Sequence, residues 1–183
     1  VLRRGVRNVL FAFDELMRPW AQQHSNPDGE KSESEAAIAT KDECLVSVST
    51  CCFDISALEI FWPVCFGFRL VLASAGTARS GTRLAALLAA ERPNLFQATP
   101  TTFRSLVQAG WTGCSTLSAI CGGEALSPAL ALELVERCGG GVWNAYGPTE
   151  ATIWCSLYRI VSSGAAAFAD VVPIGEPIAN SAL

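Results

Sequence analysis

The sequence has a single histidine and no two cysteines at the CxxC spacing, and these scarcities exclude several kinds of active site. His24 is the only histidine among 183 residues, which argues against a catalytic triad or a histidine-based metal site. None of the eight cysteines lies three residues from another, so the CxxC pairs of zinc and thioredoxin-like sites are absent. The glycine-rich fingerprints GxxxxGK[ST] and GxGxxG do not occur either. Because most cysteines lie in apolar runs, we interpret them as reduced core thiols of a cytoplasmic protein.

Charge of one sign and long apolar runs are also scarce. The net charge is −4, and the acidic stretch 28–43 by itself accounts for that total. The rest of the chain is balanced, so it offers no basic surface for nucleic acid or for an anionic membrane. The longest apolar run, 60–68, is far shorter than the roughly 20 residues that span a bilayer. We therefore expect neither nucleic acid nor a membrane as a partner.

Short apolar runs alternate with amphipathic segments along the chain. The short runs predict strands at 44–50, 69–73, 94–99, 117–123 and 141–146, with one more within 151–161. Helical spacing predicts helices at 6–18, 56–67, 80–93, 101–111 and 127–140. Ser127 and Pro128 are the expected N-cap and first turn of the last helix. The alternation predicts an α/β domain with a largely parallel sheet and flanking helices, and the acidic segment 19–43 is predicted to be a surface connection.

Polar or glycine-rich segments follow four of the predicted strands, at 52–54, 99–101, 122–124 and 146–150. Ligands of parallel sheets bind beyond the carboxyl ends of the strands, so a site is expected there. Asp54 fits two roles, the N-cap of the next helix or a carboxylate that pairs with the ammonium group of a ligand. Segment 122–124 is either a turn or a backbone that a flat ligand approaches closely. Segment 144–150 is either a strand with a Gly-Pro turn or a set of groups for a base, a phosphate and Mg²⁺.

Five motifs, in this order and spacing, carry a family resemblance: FDISALEIFWPVCFG, QATPTTFRSLVQAGW, ICGGEALSP, NAYGPTEATIWCS and PIGEPIANSAL. Together they resemble the adenylation domain of nonribosomal peptide synthetases, a branch of the adenylate-forming superfamily. The resemblance covers nearly all of residues 1–183. It implies part of the large N-terminal α/β domain of such an enzyme, with the phosphate loop and the C-terminal subdomain outside the chain. We therefore expect the isolated chain to be inactive.

The resemblance also implies roles for individual residues. Asp54 corresponds to the residue that binds the substrate ammonium group. The amino-acid pocket would be lined by Ile55, Leu58, Thr101, Ile120, Gly122, Ala145, Ile153 and Trp154. ATP would contact Gly122, Gly123, Glu124, Asn144, Tyr146 and Gly147. Thr149 and Glu150 correspond to the catalytic pair, a phosphate contact and the Mg²⁺ ligand.

The implied reaction converts an amino acid and MgATP to an aminoacyl adenylate and pyrophosphate. The aminoacyl group would then pass to the phosphopantetheine thiol of a carrier domain, in a synthetase that also has condensation domains. Besides Asp54, Thr101 is the one polar side chain among these pocket positions, and none of them adds a second charge. A hydrophobic, uncharged amino acid is therefore expected. Trp154 is expected to shorten this pocket and Gly122 to restore room. Two alternatives are an acyl- or aryl-CoA ligase and a non-catalytic remnant of the fold.

Overall fold

A computed structural model describes residues 43–161, 168, 170–178 and 181. The strands in this part of the chain are β1 (Cys44–Ser47), β2 (Arg69–Leu72), β3 (Leu95–Ala98), β4 (Ser118–Gly122), β5 (Gly141–Tyr146), β6 (Ser156–Ile160) and β7 (Glu176–Pro177). The helices are α1 (Ile55–Phe66), α2 (Ala75–Ala78), α3 (Gly81–Glu91), α4 (Pro100–Gln108) and α5 (Pro128–Arg137), with a 3₁₀ turn at Thr149–Ala151. The predicted helix 6–18 and acidic connection 19–43 lie outside the described residues, apart from Glu43.

All seven strands form one sheet in the order β2-β1-β3-β4-β5-β6-β7. The first five strands pair in parallel, whereas β6 and β7 join antiparallel at one side. Helices connect the parallel strands, as crossover connections require. The predicted α/β class with a largely parallel sheet is confirmed.

Both faces of the sheet are buried, because side chains of each strand alternate between two apolar clusters. Helices α3, α4 and α5 cover one face, and their contacts with the sheet include Leu84, Phe103, Leu134, Val46, Phe96 and Ala119. Helix α1 covers the other face, where the cluster includes Leu58, Trp62, Leu45, Ile120, Trp143 and Trp154. The sheet is therefore the centre of a three-layer core.

Two element boundaries differ from the predicted ones for identifiable reasons. Strand β1 ends at Ser47 because the next two backbone N–H groups donate to the Glu59 carboxylate instead of to a strand. Helix α1, predicted at 56–67, begins at Ile55 and continues through Pro63 to Phe66, close to the prediction. The run 151–161 contributes strand only from Ser156, since Thr152 and Ile153 adopt positive φ angles of 69° and 67°. Ser127 caps α5 as predicted, its hydroxyl accepting from Leu130 N at 3.4 Å.

The eight cysteines are free thiols, as predicted, and four of them are buried. Cys51, Cys52 and Cys65 are exposed, so the prediction of core positions is wrong for these three. Among the described residues, no helix is long and apolar enough to cross a membrane.

The face of the sheet that α3, α4 and α5 cover gives a test of the core. Phe103 is 0 % exposed and its ring meets that of Phe96 edge-on at 5.4 Å between centroids. We expect Phe103→Ala to lower the free energy of unfolding by about 3–5 kcal/mol, because it removes a buried aromatic ring and leaves a cavity. Val64→Ala is the control, since Val64 is 71 % exposed on α1 and should change stability by less than about 0.5 kcal/mol. Urea denaturation would measure both, and equal losses would contradict this core.

Candidate functional site

Two adjoining cavities open at the carboxyl ends of the central strands. The first, of about 380 Å³, lies between β5 and the segment 171–174. The second, of about 410 Å³, lies between the β1–α1 loop, the start of α4 and the turn after β5. The two cavities share four lining residues, Gly123, Glu124, Gly147 and Pro148. The two cavities therefore adjoin at these four residues.

The register of the parallel strands brings the lining segments together. Cys121 pairs with Asn144 and Gly122 with Ala145, so β4 and β5 end side by side. Their following turns supply the shared wall. Gly147 is required in its turn, because a Cβ there would lie 2.3 Å from the carbonyl oxygen of Ile153. The segments predicted from the strand ends thus do meet in space.

A buried tryptophan, Trp154, lines the second cavity. The Trp154 indole Nε1 donates to Gln97 Oε1 at 2.9 Å, and Gln97 Nε2 lies 3.5 Å from the Ile55 carbonyl oxygen. A Cβ on Gly122 would lie 2.5 Å from the indole Cη2, so the glycine makes room for the ring. Gly122 therefore does not enlarge the pocket as predicted, because the indole fills the space that it leaves.

Asp54 lies at the start of α1 and lines the second cavity. Its Oδ1 accepts a hydrogen bond from Ile55 N at 2.8 Å, so the capping role is present. The residue is only half-buried. A carboxylate at the first turn of a helix is favoured by the helix dipole and retains acceptor capacity for a cation. The two roles foreseen for Asp54 are thus compatible in one side chain.

Asn144 and Tyr146 line the first cavity from β5. The Asn144 amide Nδ2 donates to the Pro173 carbonyl at 2.8 Å and to that of Val172 at 3.4 Å. Asn144 therefore holds the far wall of the cavity in place. Tyr146 is exposed and presents its ring to the opening, where a flat aromatic ligand can stack.

Polar groups cluster at the rim that both cavities share. The Glu124 carboxylate accepts from Thr101 Oγ1 at 2.6 Å and from Thr101 N at 3.3 Å. Thr101 is exposed at the first turn of α4, whereas Glu124 lines both cavities. The expectation that the amino-acid pocket has no charge besides Asp54 is therefore wrong, because the turn after β4 brings the Glu124 carboxylate into the second cavity. Thr149 lines the second cavity, and Glu150 is exposed beside it in the 3₁₀ turn.

Seven of the nine predicted pocket residues form two groups, whereas Thr101 and Gly122 line neither of the two cavities. Asp54, Ile55 and Trp154 line the second cavity, and Ala145 lines the first. Leu58, Ile120 and Ile153 are buried in the apolar cluster beneath α1. Two buried polar residues outside the predicted set hydrogen-bond residues that line the second cavity. Gln97 accepts from Trp154, and Glu59 accepts from Val48 in the β1–α1 loop. Each is a polar residue inside an apolar run, and this pattern in the sequence could have indicated a buried polar group.

The chemistry of the described residues does not point to a thiol or to a clustered metal centre. Burial, with Glu124 as the second cause, raises the pKa of the Cys121 thiol, so this thiol near the site stays protonated at neutral pH. Within the described part of the chain, no three His, Cys, Asp or Glu side chains come together as a metal site. The site is suited to binding and orienting a ligand by shape, hydrogen bonds and carboxylates.

Comparison with known proteins agrees with this arrangement. Residues 16–183 match the family described as AMP-binding enzyme. The chain is 38 % identical over 151 residues to a dimodular nonribosomal peptide synthase of Bacillus subtilis, covering 82 % of the chain and 6 % of that protein. It is 30 % identical over 151 residues to enterobactin synthase component F of Escherichia coli, covering 79 % of the chain and 12 % of that protein. The chain thus spans a small part of the relatives it matches.

A solved structure agrees as well. The fold matches that of AB3403, a four-domain nonribosomal peptide synthetase bound to AMP and glycine, with a TM-score of 0.75 and 32 % identity. This match covers 95 % of the chain and 11 % of the synthetase. The strand order, the paired cavities and these relatives lead to one conclusion: the chain belongs to the AMP-binding enzyme family, as an adenylate-forming domain of the nonribosomal peptide synthetase type.

Proposed function

We propose that the site activates an amino acid with ATP and presents the aminoacyl group to the phosphopantetheine thiol of a carrier domain. The observation that carries this proposal is the pair of cavities with one shared wall. An aminoacyl adenylate has two parts of this kind, a nucleotide and an amino acid joined at a phosphate. The first cavity would hold the nucleotide, with its base against Tyr146, and the second would hold the amino acid, with its ammonium group at Asp54.

The proposed chemistry requires positioning more than proton transfer. A carboxylate oxygen of the amino acid attacks the α-phosphorus of ATP, the bond to the β-phosphate oxygen breaks, and pyrophosphate leaves. The thiol of the carrier then attacks the activated carbonyl carbon, the thiol proton is lost, and AMP leaves. Asp54 would hold the ammonium end, and Thr149 would donate its hydroxyl to a phosphate oxygen near the shared rim. Holding both reactants in line accounts for much of the rate enhancement in reactions of this type.

The donor set at the rim fits Mg²⁺. This ion keeps several waters and is usually held by one or two carboxylates together with substrate phosphates. Glu150 supplies one exposed carboxylate close in sequence to Thr149, which is the kind of site that such an ion accepts. Bound there with ATP, Mg²⁺ would neutralise phosphate charge. The intact synthetase would bring the carrier and condensation domains.

The lining of the second cavity favours a hydrophobic, uncharged amino acid. Trp154, Phe53 and Val48 contribute apolar surface. The hydroxyls of Thr99 and Thr102 lie 3.4 Å apart and can bond to each other, so the polar lining is largely engaged within the protein. No Lys or Arg lines this cavity among the described residues, so an acidic side chain would be desolvated without a partner. Glu124, the carboxylate that lines it besides Asp54, already accepts two hydrogen bonds from Thr101.

Asp54 provides the sharpest test, because its two roles can be separated. Asp54→Asn keeps an oxygen that can accept from Ile55 N but removes the charge, whereas Asp54→Ala removes both. We expect both variants of the full-length protein that contains this sequence to lose amino-acid-dependent ATP–pyrophosphate exchange by about 10²-fold or more, the usual scale for one electrostatic group. Only Asp54→Ala should also lower the free energy of unfolding, by about 1 kcal/mol, because it removes the helix cap. Full exchange activity in Asp54→Asn would contradict the role as an ammonium anchor.

The substrate class is tested by a panel. ATP–pyrophosphate exchange with each proteinogenic amino acid should be strongest for apolar, uncharged side chains, because these lose no hydration of a charge in the cavity. Fatty and aryl acids without an amine serve as the comparison. Preference for aspartate, glutamate or lysine would contradict the proposed class, and activity with only amine-free acids would favour an acyl- or aryl-CoA ligase.

Glu150 tests the proposed Mg²⁺ contact. We expect Glu150→Gln to lower kcat/KM for MgATP by about 10²-fold, because the ion loses a charged ligand next to the reacting phosphates. Glu133→Gln is the matched control, since Glu133 is a partly exposed carboxylate on α5 whose partner is Arg137. Titration of the exchange rate with Mg²⁺ would show a higher metal requirement only in Glu150→Gln. Identical titration curves for the two variants would argue against the contact.

A further inference from the structure

A fully buried carboxylate lies beneath the second cavity without lining it. Glu59 is 0 % exposed and projects from α1 beneath the loop that follows β1. Burying a carboxylate is costly unless its oxygens are hydrogen-bonded, so its partners indicate what it holds.

The partners of Glu59 are all at the end of β1 and in the next two residues. Oε2 accepts from Ser47 Oγ at 2.7 Å, from Val48 N at 3.0 Å and from Ser49 N at 3.0 Å. Oε1 accepts from Ser49 Oγ at 2.6 Å. One side chain thus satisfies two backbone donors and two hydroxyls, and it ends β1 in doing so.

The residues that Glu59 holds are part of the cavity wall. Val48, Ser49 and Thr50 line the second cavity opposite the start of α1. The Thr50 carbonyl then accepts from Phe53 N at 3.0 Å, which closes the turn that leads to Asp54. Glu59 therefore links the helix that carries Asp54 to the loop that faces it.

From this geometry we infer that Glu59 is a positioning residue for the amino-acid cavity. It does not contact the substrate; it sets the distance between α1 and residues 48–50, and so the width of the cavity around Asp54. The inference rests on the proposed function. The first cavity contains none of residues 47–59, so the nucleotide is not expected to depend on Glu59.

The test separates the KM for the amino acid from the KM for ATP in pyrophosphate exchange by the full-length protein that contains this sequence. Glu59→Leu should raise the amino-acid KM at least about tenfold and change the ATP KM less than about twofold, because the buried donors at Val48 and Ser49 lose their acceptor. Glu59→Gln should restore an amino-acid KM within about threefold of the unmodified value. Its oxygen can take the three donors on Oε2, and its amide can donate to Ser49 Oγ.

Ser47→Ala keeps the test decisive if Glu59→Leu does not fold. Ser47 is buried, donates to Glu59 and does not line the cavity, so its loss acts on the cavity only through the carboxylate. We expect a two- to fivefold rise in the amino-acid KM with an unchanged ATP KM. Thermal unfolding would confirm that each assayed variant is folded.

Two failures can be told apart. Unchanged amino-acid KM in folded Ser47→Ala, or equal changes in both KM values in Glu59→Leu, would overturn the positioning role alone. Absence of amino-acid-dependent exchange in the unmodified protein would overturn the proposed function, and the inference with it.

Discussion

The parallel pairing of β3, β4 and β5 is the constraint on which the rest of the site depends. Because these strands run in the same direction, their carboxyl ends all lie at one edge of the sheet, and the helices return the chain to the opposite edge. Ala98, Gly122 and Tyr146 are at or near these ends, and each is followed by a segment that lines a cavity. A shift of one residue in this register would move the glycine of β4 away from the tryptophan that needs its space.

The second requirement is that polar groups inside the core find partners. Gln97, Asn144 and Glu59 are nearly or fully buried, and each hydrogen-bonds a group that shapes a cavity. Gln97 holds the indole of Trp154, and Asn144 holds the wall at Pro173. A buried donor without its acceptor costs about 1–3 kcal/mol, so these bonds stabilise one arrangement of the cavity walls over others. The polar core therefore contributes to shape as well as to stability.

The two cavities differ in the kind of groups that line them. The first is lined mostly by apolar groups and backbone, which suits a base held by stacking and close contact. The second has carboxylates at its edge, Asp54 and Glu124, around an otherwise largely neutral lining. The proposed amino-acid substrate would meet charge at one end of this cavity and the buried indole of Trp154 elsewhere in its lining.

The sequence by itself determined the alternation of strands and helices, the parallel sheet and the segments at its carboxyl edge. These follow from local hydrophobic periodicity and from capping residues such as Ser127, which act within a few residues of their own position. The family followed from five motifs in order. Only the tertiary structure decided that Gly122 admits Trp154, that Thr101 bonds Glu124 at the rim, and that Glu59 ends β1 early. Each of these contacts joins residues 10 or more positions apart on different elements, and their distances depend on how helices pack on the sheet.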